Sequence, residues 1–212
     1  MMKRIVYTFL LLVLSLHIAA RTPMRSWIVA MPDSVMPLLT KNDRLDFIDF
    51  YDAKMAAVVT NRMEGKSRMD TLTADFVRFA YTPSTEVEMK LLAVNDSTDV
   101  LCMVTTMKAA VRDSRIAFFD EAWQPLDVLD YMDEPSIEDF RSTAHQGDSA
   151  QQAWNKMDVF FRTYHLCAEE ATLRCVLTAL DYLSREDREE VDPYVSQALN
   201  YRWTDGRLAC DE

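Results

Sequence analysis

The chain has 212 residues with 34 acidic against 23 basic side chains, a formal net charge of −11, and such a surface repels phosphate backbones and anionic headgroups, which argues against nucleic-acid binding. At 49% hydrophobic residues it is not of disordered composition. Its three glycines, Gly65, Gly147 and Gly206, are too few and too scattered for a glycine-rich phosphate cradle.

Residues 1–20 place Lys3 and Arg4 before an apolar run at 5–18 and end on Ala19 and Ala20, the layout of a secretory signal peptide cleaved after Ala20. The run is short of the roughly 20 residues that span a bilayer, and no later segment is long and apolar enough, so no membrane span is expected after cleavage. Loss of Lys3 and Arg4 takes the formal charge from −11 to −13. The expected localisation is periplasmic or secreted, where cysteines can pair.

From 33 to 62 the pattern is helical: a short turn at 34–39, then a helix capped by Thr40 with Asp43 three residues on, its stripe formed by Leu45, Phe47, Ile48, Phe50, Tyr51 and Met55. After Gly65 the period changes to two. Thr71, Thr73, Phe76 and Phe79 lean to strand, and Val87, Met89 and Leu91 alternate with Glu86, Glu88 and Lys90 as in a strand with one wet face. Asn95, Asp96 and Ser97 form a turn. Residues 100–107, apolar on both faces, suggest a central strand, and 115–120 continue the meander. A turn at Trp123 and Pro125 leads to a short helix at 126–132. A polar connection follows at 135–152. Segments 158–166 and 173–179 form a hairpin, Ser184 with Asp187 caps a helix running to about Gln197, and 201–203 and 207–209 close the chain as two strands about Gly206.

These elements predict an α+β protein: N-terminal helices packed on an antiparallel β-meander over 21–140, a connector at 141–157, and a smaller α+β half at 158–212 packed on the first. The segments LDVLDYMDEPSIEDF and LTALDYLSREDREEVDPY echo each other and suggest a diverged duplication.

Chemistry-bearing residues are few. Beyond the leader only His145 and His165 remain, and without H-E-x-x-H or C-x-x-C spacing neither a zinc site nor any cofactor is implied. Cys167 and His165 face the same way on a strand and are a conceivable thiolate–imidazole pair; the competing reading for Cys167 is a hairpin disulfide with Cys175. Asp130, Asp133, Glu134, Glu138 and Asp139 crowd together and could supply acid and base to a secreted hydrolase, although a solvated acidic face gives the same pattern. Asn95, Ser97 and Asp99 resemble the start of a calcium loop but lack its glycine and bidentate Glu. Trp123 and Trp203, each beside a turn, are candidate binding aromatics. Ser34, Thr71, Ser97 and Ser149 each follow Asp and precede a small or aliphatic residue or Thr, which resembles the O-glycosylation sequon of exported Bacteroidetes-type proteins.

The segments MPDSVMPLLTKNDRLDFIDFY, VEMKLLAVNDSTDVLCMVTT, SRIAFFDEAWQPL and YLSREDREEVDPYV followed by YRWTDGRL resemble a Bacteroidales-restricted family of secreted proteins of unknown function, over about Met24 to Leu208. The resemblance implies export and supplies no catalytic residue or ligand. The sequence thus points to a non-catalytic cell-envelope module that binds an unknown envelope protein or glycan, with the acidic hydrolase as the alternative and an envelope assembly factor as a third possibility.

Overall fold

A computed structural model describes residues 21–142 and 147–211; the expected leader at 1–20 and His145 lie outside the described residues. The architecture is α+β in three layers: N-terminal helices, a seven-stranded antiparallel sheet, and a four-stranded antiparallel sheet with short helices beside it.

Helix α1 (Met24–Ala30) precedes the first expected helix. Met24, Trp27, Ile28 and Met31 are all buried, at the spacing of one helical face. Helix α2 (Lys41–Asp52) has the expected capping box, with the Asp43 amide donating to Thr40 Oγ1 and the Thr40 amide to the Asp43 carboxylate. The helical pattern read out to residue 62 stops at Asp52. Lys54 adopts φ 56°, and the amides of Lys54 and Met55 close onto the carbonyls of Tyr51 and Phe50, a Schellman stop built without glycine. Arg44, 1% exposed, turns inward from α2 and donates to the carbonyls of Met31 and Leu39 and to Asp33, sewing the 31–39 turns onto the helix.

The large sheet runs in chain order: β1 (Val58–Thr60), β2 (Lys66–Leu72), β3 (Phe76–Thr82), β4 (Thr85–Ala93), β5 (Asp99–Lys108), β6 (Arg112–Phe119) and β7 (Pro125–Leu126). The central strand expected at 100–107 is β5. Leu101 faces the core under the helices, whereas Val100, Cys102 and Val104 face the second sheet. The same alternation on β4 corrects the wet-face reading. Val87, Met89 and Leu91 pack under the helices, but Glu88 and Lys90 are 5% and 1% exposed, covered by the second sheet. A polar strand face is indistinguishable in sequence from a solvated one when a second layer supplies the partners.

Helix α3 (Val128–Tyr131) and a 3₁₀ turn at Ile137–Phe140 lead into the expected connector. That segment is not all loop: helix α4 (Asp148–Trp154) lies in it and buries Ala153 and Trp154. The small sheet is a meander of β8 (Arg162–Leu166), β9 (Thr172–Leu177), β10 (Ala198–Thr204) and β11 (Arg207–Cys210). Ser184 caps helix α5 (Arg185–Val191) as expected, but the helix passes at Asp192–Tyr194 into a 3₁₀ turn carrying Pro193, short of residue 197. Asp205 and Gly206, both with positive φ, turn β10 into β11. Among the described residues no helix is long and apolar enough to cross a membrane.

Candidate functional site

The face where the two sheets meet is polar at one margin. Sheet pairing on β8 uses the amides on one side, leaving others on its free edge. The edge amide of Leu166 donates to Glu88 Oε2 at 2.8 Å and that of Arg162 to Asp113 Oδ1 at 3.3 Å. Carboxylates from the large sheet thus block an edge that would otherwise accept another strand. Lys90 Nζ donates to the Ala168 carbonyl at 2.8 Å and meets Asp75 at 2.9 Å. Burial outweighs the Leu166 hydrogen bond and the attraction of Arg78, so the Glu88 carboxyl titrates above the ordinary carboxylate range. Burial likewise raises the Cys102 thiol, with Glu88 adding to the effect. These groups hold one sheet on the other.

The acidic segment is exposed. Asp133, Glu134 and Asp139 line a groove of about 400 Å³ with Leu199, Tyr201, Leu208 and Cys210, whereas Asp130 and Glu138 do not line it. Each groove carboxylate has structural work. Asp133 pairs with Arg207 at 3.0 Å, Glu134 pairs with Arg162, and Asp139 closes a capping box with Ser136. Glu138 accepts from Trp154 Nε1 at 3.2 Å and pairs with Arg141. This is a set of ion pairs and caps, not an acid beside a free base.

The aromatic candidates are corrected. Trp123 is 5% exposed, with its ring edge-on to Trp27 at 5.9 Å and tilted on Phe119 at 5.4 Å. Trp203 is half-buried, stacks on Tyr131 at 6.2 Å and donates its indole N–H to the Ala93 carbonyl at 2.6 Å. Both rings pack the fold rather than present a platform to a ligand.

The hairpin disulfide is corrected too. Cys167 lies just past β8 and donates its amide to Thr172, while Cys175 pairs in register with Tyr164 on the buried face. The register sets them three residues out of step, and all four thiols are free. Burial pushes the Cys175 thiol up to about 12. Nor do Cys167 and His165 engage each other. His165 Nε2 lies 3.1 Å from Thr163 Oγ1, and Cys167 Sγ donates to Glu169 at 3.5 Å.

Of the sequon residues, Ser34, Ser97 and Ser149 are exposed. Ser97 sits on the β4–β5 turn, donating its amide and hydroxyl to Asn95 Oδ1 at 2.9 and 3.1 Å. Thr71 is half-buried within β2 at a register shift. Asp99, the last member of the calcium-like triplet, is buried and meets Arg21 at 3.6 Å.

One surface went unread in the sequence. The small sheet is covered on the face carrying Tyr164, Leu173, Cys175 and Tyr201; its other face is buried at Thr163 and open along His165, Arg174, Asn200 and Arg202. There His165, Arg174 and Asn200 form one cross-strand row, with Arg202 beside it opposite Thr172. They border a groove of about 440 Å³ that also takes in Cys167 and Asp211. Part of the His165 ring meets solvent, yet its packing lowers its pKa; Glu86 opposes that shift, and Arg112, Arg174 and Arg78 add to it. The alternation of Leu173, Arg174 and Cys175 was legible as one face in and one face out, but the row required the register of three strands.

Taken together, two antiparallel meanders packed through one shared core, with helices on the far side of the larger, define an α+β class without a familiar catalytic constellation among the described residues. The family model described as protein of unknown function DUF3256 matches residues 15–208, so the chain belongs to that family. A solved structure of a domain of an uncharacterized protein from Porphyromonas gingivalis W83 is similar over 89% of this chain and 98% of that one, at 28% identity and a TM-score of 0.79. No curated protein matches the chain.

Proposed function

We propose that this is an exported cell-envelope protein, periplasmic or secreted, that acts by binding an envelope protein or a glycan rather than by catalysis. The observation that carries the binding role is the open face of the small sheet, with its groove bordered by His165, Arg174, Asn200 and Arg202. An antiparallel sheet commonly leaves one face to water, and what marks this one is the row of exposed basic and amide side chains on it, whereas the large sheet is covered on both sides. Export is supported by the charged, apolar and small-residue layout of residues 1–20. The exposed sequon residues Ser34, Ser97 and Ser149 fit sugar attachment in that compartment.

A photo-crosslinking residue at Val176, half-buried on the same face two residues from Arg174, tests the binding role in the host cell, with one at Asp46 on α2 as the control. Adducts specific to Val176 support it; equal labelling from both positions, or none, overturns it. N-terminal sequencing of the native protein is expected to begin at Arg21, and its intact mass to exceed the polypeptide mass by whole sugar units.

A further inference from the structure

We infer that the groove on the open face of the small sheet binds an oxyanion, a carboxylate, sulfate or phosphate group on a small ligand or a glycan, between the guanidinium groups of Arg174 and Arg202 with Asn200 and His165 beside it. This deepens the binding role proposed above and rests on it.

The strand register sets the placement. Arg174 pairs with His165 on one side and Asn200 on the other, and Arg202 stands two residues beyond Asn200 on the same strand face. Arg174 and Arg202 are therefore diagonal neighbours on adjacent strands, within reach of long side chains. Two like charges so placed repel unless an anion lies between them, and a guanidinium fork matches the oxygens of a carboxylate, sulfate or phosphate.

The charge balance favours the same ligand. This chain carries a net −11, and acidic side chains meet Arg25, Arg62, Arg162, Arg188 and Arg207 at 3.0 Å or less. Among the described residues Arg174 has no carboxylate within ion-pair distance, and Arg202 meets Asp211 at the longer distance of 3.7 Å. Asp211, which also borders the groove, compensates this basic spot only in part, and a local excess of positive charge on an acidic protein concentrates small anions while the remaining surface repels polyanions. Arg78 and Arg112 extend the positive field toward His165, and Glu86 and the groove carboxylate Asp211 are the opposing charges. Asn200 adds an amide and Thr172 a hydroxyl, donors that suit the remaining oxygens or the hydroxyls of a sugar.

The test is an amide and arginine side-chain NMR titration of the purified protein with sodium sulfate, sodium phosphate and D-glucuronate. Ionic strength is held constant with sodium chloride. Saturable shifts are expected at His165, Arg174, Asn200 and Arg202, with a dissociation constant on the order of millimolar for a single anion and a rise in the His165 pKa on saturation. Arg174→Gln and Arg202→Gln should each weaken binding about tenfold, and Arg185→Gln on α5 should not. Preference for glucuronate over both inorganic ions assigns the site to an acidic sugar; the reverse assigns it to a free tetrahedral anion. Shifts that do not saturate, that chloride alone reproduces, or that survive both substitutions overturn the inference. If crosslinking from Val176 succeeds while no anion binds, the oxyanion assignment falls and the binding role stands.

Discussion

The two sheets handle charge in opposite ways. On the inner face of the large sheet Glu88 and Lys90 are buried, and each is matched by a backbone group of the small-sheet half and by an oppositely charged side chain. On the outer face of the small sheet Arg174 is exposed and has no acidic partner among the described residues. Matched buried charge is what a packing interface requires, because an unpaired group there costs its full desolvation. Unmatched exposed charge costs little in stability and is free to meet a ligand. The contrast separates residues that hold the two sheets together from residues left exposed to solvent.

The contrast sharpens most at the shared core. Phe118 is fully buried between the layers and stacks on Tyr131 at 5.0 Å, so Phe118→Ala should cost about 3–5 kcal/mol in urea unfolding. Lys90→Ala strips the Ala168 carbonyl and Asp75 of their donor and should cost about 2 kcal/mol. Arg174→Ala should shift stability by less than Lys90→Ala does; equal losses would erase the distinction between the two faces.

Glu88 gives a subtler test. Its carboxyl is raised above the ordinary 4.5 by burial, so the native state holds that proton more tightly than the unfolded chain. Its stabilising contribution is complete below the unfolded value and is lost as pH rises through the folded one. Glu88→Gln keeps an oxygen for the Leu166 amide and removes the charge. At pH 7 it should be within about 1 kcal/mol of the parent, while the decline in stability just above pH 4.5 becomes shallower. Urea midpoints measured across pH check this, and an unchanged slope would mean that Glu88 is not the group responsible. The smallest effect is expected for Arg174→Gln, within about 0.5 kcal/mol of wild type in thermal or urea unfolding.

Much of the fold was legible. The capping box at Thr40 and Asp43, the doubly buried strand at 100–107 and the turn at Gly206 each rest on local chemistry that the sequence states directly. Helix α1 was legible in principle, since Met24, Trp27, Ile28 and Met31 keep helical spacing. What was not legible depended on layers: whether the Glu88 and Lys90 face meets water or another sheet, and whether Trp123 and Trp203 point outward. The candidate site was the least readable part. His165, Arg174, Asn200 and Arg202 come from three strands, and only their register makes them neighbours. The cysteine pairing failed because the hairpin turns at 168–171 rather than 170–172, and that turn sets Thr172 instead of Cys175 opposite Cys167.

The most direct test of the account is in-cell photo-crosslinking from Val176 compared with Asp46. The account predicts a defined adduct from the open face of the small sheet and none from α2. Silence at Val176, or the same adducts from both positions, would contradict it.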